Sequence, residues 1–258
     1  MTWTTQLRSK VGPLATMASG EGPLVILIHG VGLCAEAWGA QFDALSQTCR
    51  VIAVDMPGHG ASTALAPRPE LAGFTDTIAA ALNGPAVMVG HSFGAMIALD
   101  LAIRHPKLVN GVAALNAIYR RDATAQAAVM ARAKNLDGKT VSDPTETLNR
   151  WFGTASSPER EACDNWLRAT DPEGYRNAYR VFAAQNGPAA TDLVAMRCPA
   201  LFLTGAQEPN STPAMSQQMA ALVPDGSAEV IQGAAHMLPM THAPQVNAIL
   251  TNFVRACS

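Results

Sequence analysis

Short apolar runs recur along the chain, LVILI (24–28), VIAV (51–54), AVMV (86–89), LVNGVAAL (108–115) and ALFLT (200–204), each bounded by turn residues. None alternates apolar with polar positions. Continuous runs of this length, rich in Val, Ile and Leu, suit parallel strands buried on both faces. AEVIQ (228–232) is a weaker further strand. Between the runs lie helical segments at 35–47, 70–83, 93–105, 213–223 and 244–257. Strand–helix alternation of this kind predicts an α/β fold, with a right-handed, mostly parallel central sheet flanked by helices on both faces.

From Tyr119 to Pro188 the rhythm breaks. No buried-strand run occurs there, and the segment instead carries helix-forming stretches with Trp151 and Trp166. About 70 residues are too many for one crossover connection, which needs only a dozen or more. The expectation is a core made of residues 1–118 and 189–258, with 119–188 inserted as a helical cap over the carboxyl edge of the sheet.

Composition adds limits. Charged residues make up 15% of the 258 and apolar ones 48%, enough for a large core and unlike a disordered chain. Net charge is −2, from 18 basic and 20 acidic residues, with no basic stripe of the kind nucleic-acid binding requires. MTWTTQLRSK lacks the apolar stretch of a signal peptide, and no run approaches the ~18 residues of a membrane span. The five cysteines are scattered, odd in number and without C-x-x-C spacing, as reduced thiols are. A cytoplasmic monomer or homodimer is expected, with neither nucleic acid nor membrane as partner.

The chemistry begins at AVMVGHSFGAMI (86–97), where Gly-His-Ser-Phe-Gly joins a buried strand to an apolar helix. Gly-x-Ser-x-Gly at such a junction is a nucleophile elbow: a strained turn lifts the Ser92 hydroxyl above the sheet edge. A serine needs a base to attack. Of six histidines, His236 in GAAHML (233–238) follows the last strand, on a loop that can reach over the elbow, whereas His91 points elsewhere. The imidazole needs a carboxylate behind it. Glu208 is the only acid in GAQEPNSTP (205–213), and Ser92, Glu208 and His236 then follow the chain order of such triads. After LVILI the chain turns through His29-Gly30, so the backbone N–H of Val31 joins that of Phe93 as an oxyanion hole. Cys34 reads as a packing thiol. No metal or organic cofactor is called for.

Together with DMPGHGAS (55–62), which looks like an Asp-x-Pro-Gly-His-Gly-x-Ser turn, LIHGVG (27–32) and GHSFG (90–94) resemble the α/β-hydrolase superfamily over nearly the whole chain. Within it, the endings GAQEPNSTPAMSQQMA and GAAHMLPMTHAPQVN look like the 3-oxoadipate enol-lactonase-like and esterase-like bacterial members. The resemblance implies that Asp55, Gly58, His59 and Gly60 shape a loop. It also implies cleavage of a small-molecule ester or lactone. The sequence departs from the usual pattern in carrying Glu208 where Asp is common, with Asp122 the nearest alternative acid. Carbon–carbon bond hydrolases and cofactor-free haloperoxidase-like members share the same three residues, and a non-catalytic receptor on this fold is a remote alternative. Ser92 excludes members whose elbow nucleophile is a carboxylate. For substrate binding the candidates are Trp151, Met237 and Leu238. An inward-facing arginine among those of residues 119–188 would favour a substrate carboxylate, although solvent-exposed ion pairs are the simpler expectation for them.

Overall fold

In the computed structural model, residues 7–257 are described; residues 1–6 of the expected core, and Ser258, lie outside the described residues. Strands β1 (Ser9–Val11), β2 (Leu14–Ser19), β3 (Leu24–Ile28), β4 (Arg50–Val54), β5 (Ala86–His91), β6 (Val109–Leu115), β7 (Ala200–Gly205) and β8 (Gly226–Ile231) form one sheet in the order β1-β2-β4-β3-β5-β6-β7-β8. From β4 to β8 all pairings are parallel. β1 and β2 are antiparallel additions at one edge. The sequence pattern does not announce them, because SKV is three residues long and LATMAS lacks the branched residues that favour strands.

Helices α1 (Gly39–Leu45), α2 (Leu71–Ala80), α3 (Phe93–Arg104), α4 (Ala123–Asn135), α5 (Thr145–Phe152), α6 (Pro158–Ala169), α7 (Pro172–Ala184), α8 (Ala190–Ala195), α9 (Pro213–Leu222), α10 (Leu238–Thr241) and α11 (Ala243–Ala256) complete the chain. The expected helix over 35–47 is a 3-10 turn, Ala35–Trp38, leading into α1.

Alternate residues of each central strand feed different cores. Ile26, Ile28, Met88 and Phe202 pack with Phe74 of α2, Leu99 of α3 and Met219 of α9. Val25, Leu27, Val89 and Leu203 pack with Trp38, Leu45, Leu250 and Val254 on the other side. A sheet covered on both faces is what the unbroken apolar runs require. Between β6 and β7 the chain is helical, α4–α8. Leu33, Ala37, Leu148, Cys163, Leu167, Met237 and Met240 form a third cluster joining these helices to the sheet side. Local caps start several of them: Asp122 accepts from the Ala125 N–H, Ser157 from Arg160 and Asp171 from Gly174. Pro158 and Pro172 occupy first-turn positions where a missing N–H costs nothing.

The chain leaves β3 for β4 on one side and enters β5 on the other. Such a reversal opens a crevice at the carboxyl ends of the two diverging strands. Those ends carry His29–Gly32 and Ser92.

Candidate active site

Ser92 occupies φ +56°, ψ −117°, a backbone region that L-residues avoid. The flanking glycines are dictated by crowding. A side chain at Gly90 would begin 2.1 Å from the Gly94 carbonyl oxygen, and one at Gly94 would begin 2.1 Å from that of Ile28. Strand β5, helix α3 and strand β3 touch backbone to backbone, and the sharp turn that results is what exposes residue 92. The Ser92 amide donates to Leu115 O at 2.8 Å, tying the elbow to β6. Phe93 is the first residue of α3, so its N–H has no acceptor within the helix. Its side chain is buried.

His236 stands on the loop between β8 and α10. Its Nδ1 lies 2.7 Å from Glu208 Oε2. Glu208 Oε1 accepts the N–H groups of Asn210 at 2.7 Å and Ser211 at 3.2 Å. The longer side chain is thus accommodated by a turn that folds back around it. Burial raises the Glu208 carboxyl, but the His236 contact and the two amides more than offset this and hold it at about 2. The carboxylate is therefore ionised at neutral pH, and it orients the imidazole with Nδ1–H toward itself.

The His236 backbone is also gripped. Its carbonyl oxygen accepts from His91 Nε2 at 2.8 Å and from Asn116 Nδ2 at 2.6 Å. Burial and the neighbouring His236 charge pull His91 down to about 3, so it is a neutral imidazole whose Nε2–H is the donor. Asn116 Oδ1 in turn accepts from Thr204 Oγ1 at 2.9 Å. The indole of Trp151 stacks on the His236 ring, centroids 5.4 Å apart and planes at 23°.

Beside the elbow, a Cβ built on Gly30 would lie 3.2 Å from Ser92 Cβ, so the loop after β3 presses against the serine. The motif DMPGHGAS holds this loop. His59 Nε2 accepts the Gly32 N–H at 3.0 Å, Asp55 accepts the Ala35 N–H at 2.8 Å, and His29 Nε2 accepts the Met56 N–H at 3.0 Å. Burial lowers His59 to about 3 and lowers His29 too, which leaves both rings neutral and able to accept. Cys34 is buried with its thiol pushed up, and thiols of that kind are inert.

A cavity of about 230 Å³ connects these parts, lined by Val31, Ser92, Trp151 and His236, with Arg121, Arg132 and Arg150 also on its wall. Met237 and Leu238 do not line it. Met237 packs in the third cluster and Leu238 in the core under α11, because the turn into α10 points both side chains inward. Asp122 reaches the cavity only as the exposed cap of α4, bonded to the Ala125 N–H. His91 and Asn116 were not expected to matter. A buried Asn directly after a strand at the carboxyl edge, with a positive φ of 52°, is the signal for the second.

The profile of the Alpha/beta hydrolase family matches residues 25–249. The (E)-2-((N-methylformamido)methylene)succinate hydrolase of Acinetobacter baylyi is 40% identical over 235 residues, 88% of this chain and 89% of the relative. Among solved structures, a thermophilic esterase from Thermogutta terrifontis superposes with a TM-score of 0.86 at 25% identity, covering 98% of this chain and 99% of its own. The enol-lactonase from Burkholderia xenovorans shares the fold at a TM-score of 0.82 and 23% identity, over 96% and 100% of the two chains. Sheet, elbow and relatives agree: the chain belongs to the α/β-hydrolase family, whose relatives here are hydrolases.

Proposed function

We propose that this protein is a serine hydrolase that transfers the acyl group of a small carboxylic ester or lactone to water. The observation that carries the reading is a strained elbow serine sharing one cavity with a histidine whose far nitrogen is bonded to a buried carboxylate. Nε2 of His236 takes the Ser92 proton as the hydroxyl attacks the carbonyl carbon. Glu208 stabilises the imidazolium that forms. The N–H groups of Val31 and Phe93 hold the oxyanion, each such donor contributing about 3–4 kcal/mol to transition-state stabilisation. His236 then protonates the leaving alcohol or enol and afterwards draws a proton from water to release the acid. Residues 119–188 act as the cap that shapes the acyl pocket, with Trp151 fixing the imidazole plane.

The 40% identical relative favours a second reading of the bond cleaved. Its name places a formamide and a succinate on one small molecule, so an amide-type acyl group is the alternative to an ester, with the same roles for the three residues.

Labelling by a serine-directed fluorophosphonate tests the mechanism. A single phosphonylation mapped by mass spectrometry to Ser92, accompanied by loss of ester hydrolysis, is expected. A fully labelled but fully active protein, or label at another residue, overturns it.

A further inference from the structure

Part of the cavity beside Ser92 is lined by cations. Arg121 lies just ahead of α4, Arg132 on α4 and Arg150 on α5, yet all three line the cavity that also holds Ser92 and His236. Arginines of the following helices α6 and α7 are instead neutralised at the surface. Arg168 pairs with Asp164 at 3.0 Å and Arg176 with Glu173 at 2.8 Å. Among the described ion pairs, none includes Arg121, Arg132 or Arg150.

Arg121 is 93% buried by its 7% exposure and is held rigidly. Its Nη1 donates to Gln126 Oε1 at 3.1 Å and to the Gln185 carbonyl at 2.5 Å, and its guanidinium lies 4.6 Å over the Phe182 ring. Its Nη2 is buried without a hydrogen-bond partner. A buried donor on a cation left unpaired is costly, and proteins keep such groups where a ligand completes them. Burial pulls Arg121 down to about 10, and burial followed by the Arg132 charge lowers Arg150 as well. Both nevertheless remain protonated at neutral pH, so the wall stores positive charge that the protein does not cancel. Arg150 Nη2 is oriented by Thr147 Oγ1 at 3.0 Å, and Glu146, on the same helix, is its acidic neighbour. Asp122, also on the wall, spends Oδ1 on the cap of α4.

We propose that Arg121, Arg132 and Arg150 form an anion subsite, and that the substrate carries a carboxylate remote from the acyl group presented to Ser92. Guanidinium groups bind carboxylate in a two-pronged fork, and a cavity of about 230 Å³ holds a short diacid derivative with one end on the arginines and the other at the elbow. In its kinetic arm this rests on the serine-hydrolase reading above; in its binding arm it does not.

The test compares monomethyl succinate with methyl 4-methylpentanoate, a neutral ester of nearly the same shape. The parent protein should favour the charged ester by at least ~30-fold in kcat/KM. Arg150→Gln and Arg121→Gln should each lower that value by ~10²-fold while changing hydrolysis of the neutral ester less than about 3-fold. Arg132→Gln, at an exposed position, should cost about 3–10-fold. In parallel, succinate should raise the Tm of Ser92→Ala protein, and the shift should vanish when Arg150→Gln is added. Equal losses on both esters, or a parent that prefers the neutral one, overturns the subsite and leaves the hydrolase reading standing. A succinate-dependent Tm shift that requires Arg150, in a parent inactive on both esters, supports the subsite and overturns the hydrolase reading. Absence of both the shift and the preference overturns the subsite.

Discussion

Ser92→Ala is expected to lower kcat by about 10⁴–10⁶-fold on whichever ester or lactone the parent turns over best, with KM changed far less. The change is local. Alanine keeps the Cβ and meets the same φ of +56°, so the elbow is no more strained than before and the helix behind it is undisturbed. Thermal unfolding should therefore stay within about 1 °C or 2 °C of the parent, since a surface-like deletion of one hydroxyl falls within about 0.5 kcal/mol. What disappears is the hydroxyl proposed to attack. His236, Glu208 and the amides proposed as the oxyanion hole remain, and a residual catalysis over water is expected from them. Steady-state kinetics on the two purified proteins decides the matter. Equal rates would show that the hydrolysis comes from elsewhere in the molecule, and the mechanism would be abandoned.

Glu208→Gln should lower kcat by about 10³–10⁴-fold, nearly as much, although it leaves the shape of the side chain intact. The amide carries no charge to balance an imidazolium, and an NH₂ facing His236 Nδ1 favours the tautomer with its proton on Nε2, where it cannot accept from Ser92. Glu208→Asp tests reach rather than charge. It withdraws the carboxylate by one methylene from a contact of 2.7 Å, and should cost about 10–100-fold in kcat. The same group shapes acid stability. Its carboxyl is held at about 2 in the folded protein against an ordinary value of 4.5. Between those values the unfolded chain binds the proton and the folded one does not, so stability rises with pH across that window. The contribution, on the order of 3 kcal/mol, is complete above the unfolded value and is lost as pH falls toward 2. Denaturation at pH 3 and pH 6 should show a steeper acid loss in the parent than in Glu208→Gln. Identical slopes would mean that the carboxylate is not paired as described.

Much of this molecule was legible in one dimension because two of its features are written locally. Strands buried on both faces must be continuous apolar runs, and VIAV, AVMV and ALFLT each became a central strand. The edge pair β1 and β2 was illegible, since an antiparallel edge is recruited by the neighbour it meets and needs no strong preference of its own. The elbow was legible because the backbone contacts at Gly90 and Gly94 forbid any side chain there, a steric rule that leaves a fingerprint in sequence. The pairing of Glu208 with His236 was legible from their places on the loops after β7 and β8, Glu208 being the one acid in its loop.

Other parts depended on distance in space. Met237 and Leu238 follow His236 in the chain, yet the turn into α10 buries them away from the cavity; adjacency in sequence is not adjacency at a site. Asn116, 120 residues from His236, comes to hold its carbonyl only because β6 ends beside the loop after β8. The arginines show the limit most clearly. Six or more of them among helix-forming residues look alike as letters, and nearby acids suggest surface pairs for all. The sequence by itself determined a sheet buried on both faces, a serine elbow and the histidine and acid that follow it, because those are demands of backbone geometry and chain order. Which arginines pair at the surface and which line the cavity beside Ser92 was decided by how the helices between β6 and β7 pack, since charge compensation is a matter of ångströms between side chains and not of their spacing along the chain.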